Sequence, residues 1–307
     1  MIEGFWQPEE TMKKAFLQLH FAVFLAGFTG ILGRLITLNE GWLVWYRLLI
    51  SSVTMWILFS LAGKLQQVSI TDILKLSGIG FLSALHWVSF YGSIKYANVS
   101  VALVCFSATG FFTALFEPFF SRKRINLIEV LLGLIVIAGI YIIFHFDPKY
   151  KTGIILGVIC AVLLAIVMIL IRQFVQKMNS QTILTYQLSG GFITLSLFMP
   201  FYLKAFPTSY IFPGFSDWMW LLVLAWFCSV LAFQFSVTSL QKLTAFTVNL
   251  SFNLEPVYGI LLAFFVYHEN KDLNWSFFIG LGLIILALCI QMWRVWKQSK
   301  LSSVKTS

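Results

Sequence analysis

Residues 153–175, GIILGVICAVLLAIVMILIRQFV, run for nineteen positions without a charged side chain before Arg172. A helix needs roughly 20 residues to cross the ~30 Å hydrocarbon core of a bilayer. A stretch that is apolar all round has no face to turn toward water. Nine similar stretches flank this one: 15–36, 41–63, 73–95, 99–120, 126–145, 181–203, 217–239, 244–267 and 274–296. Polar or helix-breaking residues mark the joints, as in Leu38-Asn39-Glu40, Ser121-Arg122-Lys123-Arg124, Asp147-Pro148-Lys149 and Glu269-Asn270-Lys271-Asp272. A membrane β-barrel needs alternating segments of about ten residues, half the length seen here. The expected fold is an all-α membrane protein of ten transmembrane helices. A cytoplasmic segment 1–14 precedes them and a basic cytoplasmic tail 297–307 follows.

Composition points the same way. Of 307 residues 59% are hydrophobic and 11% charged, against roughly 25% charged in soluble domains. So few charges cannot cover a water-soluble surface of this size. In lipid the apolar side chains need no cover. The aromatic share of 17%, with 11 Trp, suits a protein anchored at two membrane interfaces. With the N-terminus inside, fourteen of the 21 Lys and Arg fall on the cytoplasmic side, six fall outside, and Arg47 alone lies within a span. This bias places both termini in the cytoplasm. The net charge of +9 is therefore a topology signal. It is no nucleic-acid patch, because no basic cluster exceeds three residues. The first apolar stretch is too long for a signal-peptide core and lacks a small-residue cleavage pattern. Cys105, Cys160, Cys228 and Cys289 all fall in spans, which argues against a disulfide framework or a zinc site.

An internal repeat divides the chain. Residues 81–95 set beside 227–241 match at Phe81/Phe227, Ser83/Ser229, Leu85/Leu231 and Ser93/Ser239. Arg34 falls on Arg172, Trp45-Tyr46-Arg47 on Thr185-Tyr186-Gln187, and Gly133 on Gly280. The matches are colinear, with an offset that grows from 138 to 147 as loop insertions would produce. Each half, 15–145 and 153–296, then holds five spans, and an odd number inverts the second half in the membrane. Inverted repeats are typical of secondary transporters, since exchanging the conformations of the halves switches access from one side to the other. No GxxxxGK[ST] loop suggests coupling to ATP.

The residues also carry a resemblance. Gly27-Phe28-Thr29-Gly30-Ile31-Leu32-Gly33-Arg34, Trp45-Tyr46-Arg47, Leu254-Glu255-Pro256-Val257-Tyr258 and Tyr267-His268-Glu269 occur in an order that resembles the drug/metabolite transporter superfamily, specifically its EamA-type members. The resemblance covers the whole chain. It implies two five-helix repeats, a central cavity lined largely by spans 1, 3, 4, 6, 8 and 9, and export or uptake of small metabolites such as amino acids, with export the expected direction. It also implies an integral protein of a bacterial inner membrane. One departure stands out: the first half has Thr109-Gly110 where the second has Glu255-Pro256, and its own Glu117-Pro118 comes two turns later.

Ionisable groups inside spans cost about 2.5–3.5 kcal/mol each at mid-helix. Glu255 reads as the carboxylate near the middle of span 9, with Ser251 and Tyr258 on its face and Asn249 and Asn253 opposite. It is the candidate substrate contact or proton carrier, and a structural hydrogen bond to a neighbouring helix is the competing reading. Thr109 is its expected counterpart on the opposite wall of the cavity. Arg47 is the one charge of span 2 and a candidate for the cavity, with a packing or topology role as the competing reading. His86, Ser89 and Ser93 form a polar stripe on span 3 beside Trp87 and Tyr91. His20, Gly27 and Arg34 recur on span 1, and Gln234 and Thr238 on span 8. Glu117 is expected to pair locally with Arg122 or Arg124, while Gly27, Gly30 and Gly33 are expected to admit close helix neighbours. No cofactor and no metal is expected. The expected partners are a small metabolite and the bilayer, with proton coupling open and no nucleic acid. A channel or receptor is the weaker alternative, because inverted repeats favour alternating access. An intramembrane enzyme is weaker still: the four His are scattered without HxxxH spacing, and no GxSxG occurs.

Overall fold

A computed structural model describes residues 9–121, 126–146, 148–175, 177–240, 248 and 251–304. Twelve α-helices occur among them: α1 Glu9–Leu35, α2 Glu40–Leu61, α3 Ile70–Tyr96, α4 Val99–Phe106, α5 Thr109–Ser121, α6 Leu127–Phe146, α7 Lys151–Val175, α8 Ser180–Ala205, α9 Phe215–Ala225, α10 Ala232–Leu240, α11 Glu255–Tyr267 and α12 Trp275–Val304. A π-helical turn, Trp226–Leu231, joins α9 to α10. Eight stretches among the described residues are long and apolar enough to cross a membrane, and Leu127–Ile143 and Glu255–Tyr267 are shorter apolar helices. Helix extends past two expected ends, starting at Glu9 and running to Val304.

Polar residues at the joints start the helices. Asn39, Ser69, Asn98 and Asn179 each accept a hydrogen bond from a backbone N–H in the first turn of α2, α3, α4 and α8. Such caps satisfy donors that the helix cannot. Asn98 also fixes the division between spans 3 and 4, which the sequence placed between 95 and 99. Outward apolar side chains such as Leu197, Phe201, Phe265 and Trp275 are exposed in the isolated chain, a surface that suits lipid and not water.

Two expected spans are broken. Span 4 is interrupted at Ser107–Ala108, between α4 and α5. Span 9 is interrupted before Glu255, with Leu254 as the cap of α11. The expectation that Glu255 sits mid-helix is therefore corrected: it opens a helix. Pro256 lies in the first helical turn, where its missing N–H costs nothing. Thr109 likewise opens α5, and α5 and α11 are each 13 residues long. Asn249 and the start of span 9 at 244 lie outside the described residues.

The first helix of each half packs in matching ways. α1 packs on α10 and α11, while α7 packs on α3, α4 and α5. α2 packs on α8, and α6 on α12. Glycines set the closest approaches. A methyl group on Gly191 of α8 would come within 2.7 Å of the Gly80 carbonyl oxygen on α3. Gly191→Val is expected to destabilise the protein by roughly 1–3 kcal/mol, as overpacking against backbone does. A lowered melting temperature in detergent is the readout, and an unchanged one would show that the α3–α8 crossing yields easily.

Candidate functional site

Arg47 of α2 is 5% exposed. Its Nη1 donates to Tyr91 Oη of α3 at 2.7 Å, and its Nε donates to Ser229 Oγ at 3.2 Å. The guanidinium also lies 4.5 Å from the centre of the Trp87 ring. Stacking and a forked donor set are what arginine, unlike lysine, offers in a buried site. Ser229 belongs to the π turn, and its hydroxyl donates in turn to Leu224 O at 3.3 Å. Wide turns of this kind recur at functional sites. The remaining nitrogen of Arg47, Nη2, has no hydrogen-bond partner among the described residues.

Glu255 is the nearby negative charge, within electrostatic reach of Arg47. Its carboxylate makes no hydrogen bond among the described residues. The α1–α11 crossing lies against it: a methyl group on Gly27 would come within 2.9 Å of both Glu255 O and Gly259 N. The other two glycines of the α1 run also face helices, with Gly30 against Val99 and Gly33 against Tyr91.

His86 is buried within reach of Arg47, and its Nδ1 sits 3.0 Å from Cys160 O and 3.2 Å from Cys160 Sγ on α7. Ser93, on the same stripe, donates to Gly153 O at 2.7 Å, so much of that stripe serves α3–α7 packing. His20 and Tyr258 pair across α1 and α11, with Nδ1 and Oη 3.1 Å apart. Ser251 is buried just before the break. That break ends the helical periodicity that put Ser251 on one face with Glu255 and Tyr258. Thr109 donates to Phe106 O at 2.7 Å, bridging its own break. Gln234, half-buried on α10, makes no side-chain hydrogen bond among the described residues.

Glu117 pairs with Arg172 of α7 at 2.7 Å; its expected local pairing with Arg122 or Arg124 falls on residues outside the described ones. Two concavities of about 500 and 310 Å3 lie at the α11–α12 turn, beside Lys271 and Asn274, and include none of these residues. Tyr91 and Trp87 were visible in sequence only as neighbours of His86. Ser229 was visible in sequence only as the repeat match of Ser83, because only the π turn aims it at Arg47.

The EamA-like transporter family matches twice, over residues 13–145 and 151–293. The chain belongs to the EamA-like transporter family. It is thus a multi-pass membrane protein of the drug/metabolite transporter superfamily, built from two copies of one unit. Twenty-five solved chains match this EamA-like chain. One of them, a crystal structure, superposes with a TM-score of 0.61 over 93% of this chain and 99% of its own, at 17% identity. At that identity the likeness shows the fold. By sequence, no curated protein matches.

Proposed function

We propose that this EamA-like protein is a secondary active exporter of small zwitterionic metabolites such as amino acids, working by alternating access between two inverted repeats. One observation carries the reading. A buried guanidinium from the first repeat, whose Nη2 has no partner among the described residues, lies within electrostatic reach of a carboxylate from the second repeat that makes no hydrogen bond among them. A substrate carboxylate fits Arg47 in the charge-assisted geometry that arginine provides, and a substrate ammonium fits Glu255. A solute held between the halves favours different relative positions of them, which alternating access requires.

The inverted arrangement is supported by the packing. α1 against α10 and α11 corresponds to α7 against α3, α4 and α5 once the halves are exchanged. The equal half-helices after each break add to this, and broken helices at mid-membrane are where transporters bind solute. Thr109 in the first half and Glu255 in the second are then unequal walls of one site, with only the second able to carry a proton. Ten spans, both termini in the cytoplasm and a bacterial inner membrane complete the proposal.

Counterflow in proteoliposomes tests it. Vesicles preloaded with an unlabelled amino-acid mixture should take up labelled amino acids transiently above equilibrium. Entry without stimulation by internal solute would favour a channel and sink the exporter. Topology has its own test in a background without the four native cysteines. Lys271→Cys should react with an impermeant maleimide on intact cells, and Lys64→Cys only after permeabilisation. The reverse pattern would invert the orientation.

A further inference from the structure

At the end of α1, Arg34 Nη1 lies 2.7 Å from Glu269 Oε1, just past α11. Glu269 is 1% exposed and takes three more donors. Val99 N reaches Oε1 at 3.1 Å, while Ser100 N and Oγ reach Oε2 at 2.8 and 2.6 Å. The carboxylate thus caps α4, where unpaired backbone N–H groups and the helix dipole favour a negative charge. Arg34 also stacks 4.3 Å from the centre of the Tyr267 ring, and Tyr267 Oη donates to Ile31 O at 2.9 Å. His268, left-handed at φ 54°, ends α11 and turns the chain into Glu269. One carboxylate of the second repeat therefore ties α1 and α4 of the first.

A related pair, with the roles of the halves exchanged, joins α7 to α5. Arg172, near the end of α7, meets Glu117 of α5 at 2.7 Å. Arg34 and Arg172 both stand 21 residues past the start of their matched halves, at 13 and 151. Each arginine joins the first helix of one repeat to the broken helix of the other. The carboxylates are not equivalent positions, since Glu117 lies within α5 and Glu269 beyond α11. Their surroundings differ as well: Glu117 is 25% exposed and Arg172 67%, whereas Glu269 is 1% exposed.

We propose that these two ion pairs are the latches of the two mouths of the transport path, and that Arg34–Glu269 holds the outer mouth shut in this conformation. The inference rests on the alternating-access reading above. Parting α1 and α4 from Glu269 strips a dry carboxylate of its donors unless water enters. Opening of the outer mouth is thereby tied to its wetting. The hydrated Arg172–Glu117 pair imposes no such condition, because exposed pairs hold weakly.

The test uses Cys228 as a single reporter, with Cys105, Cys160 and Cys289 replaced by serine. Cys228 neighbours Ser229, the Arg47 partner, and is 7% exposed. Its reaction with an impermeant maleimide is followed from outside intact cells and in inside-out vesicles. Glu269→Gln should raise the outside rate about tenfold and lower the inside rate, as a shifted two-state equilibrium requires. Glu117→Gln should move both rates the opposite way. Arg34→Gln leaves the carboxylate on α4, so it should repeat the Glu269→Gln result and decides the matter if that variant does not reach the membrane. Unchanged rates in a protein that performs counterflow would remove the latch and leave the transport reading standing. A rise of equal size from both faces would mean general loosening and would also remove it. No counterflow in the native protein, with equal labelling of Cys228 from both faces, would remove the transport reading and the latch together.

Discussion

Glu255→Gln should lower concentrative transport by roughly 10- to 150-fold, the equivalent of losing a charge-assisted hydrogen bond of about 1.5–3 kcal/mol. Glutamine keeps the shape of the side chain but neither holds an ammonium by charge nor carries a proton. Folding should survive, because the Glu255 carboxylate makes no hydrogen bond among the described residues that the substitution would break. The α11 N-terminus has no side-chain cap hydrogen bond to lose, and Pro256 keeps its place in the first turn. The variant should still insert, and its melting temperature should stay near that of the native protein. Transport driven by a proton gradient and counterflow without one are measured side by side. Loss of the first alone assigns Glu255 to the proton; loss of both assigns it to the solute. Full concentrative transport at normal expression would make Glu255 a structural residue.

Arg47→Lys should be nearly as damaging despite keeping the charge. An ammonium cannot reach Tyr91 and Ser229 together, keep a further nitrogen beyond them, and stack on Trp87. The expected loss is more than about tenfold in transport, with a stability cost of roughly 1–3 kcal/mol as the buried Tyr91 and half-buried Ser229 oxygens lose a donor. Uptake assays and thermal unfolding on the same preparation read both. Unaltered affinity for an amino acid in Arg47→Lys would show that the forked geometry has no part in binding. Tyr91→Phe is the finer probe: it removes one acceptor from Arg47 while leaving the charge in place, so it should weaken transport less than Arg47→Lys does.

The sequence by itself determined the solvent of this protein and most of its segmentation. Apolar stretches near the length of a bilayer crossing, joined by Asn and Ser that cap the next helix, need no partner to be read, because both signals are local. The two halves were legible for a related reason: colinear residues such as Arg34 and Arg172 survive small loop insertions. Glycines 27, 30 and 33 could be read as contact points, since only a missing side chain permits such approaches.

What the tertiary structure decided is non-local. Hydropathy does not register a break inside an apolar run, so spans 4 and 9 read as continuous. Two residues at Ser107–Ala108 and a turn before Glu255 instead place Thr109 and Glu255 at helix starts. A π turn shifts the helical phase, and no periodicity reading could aim Ser229 at a residue 182 positions away. Glu269 read as part of a polar joint, the ordinary meaning of a charge beside Asn270 and Lys271. Only the fold buries it, because four donors from α1 and α4 converge there and repay the cost of taking a carboxylate out of water.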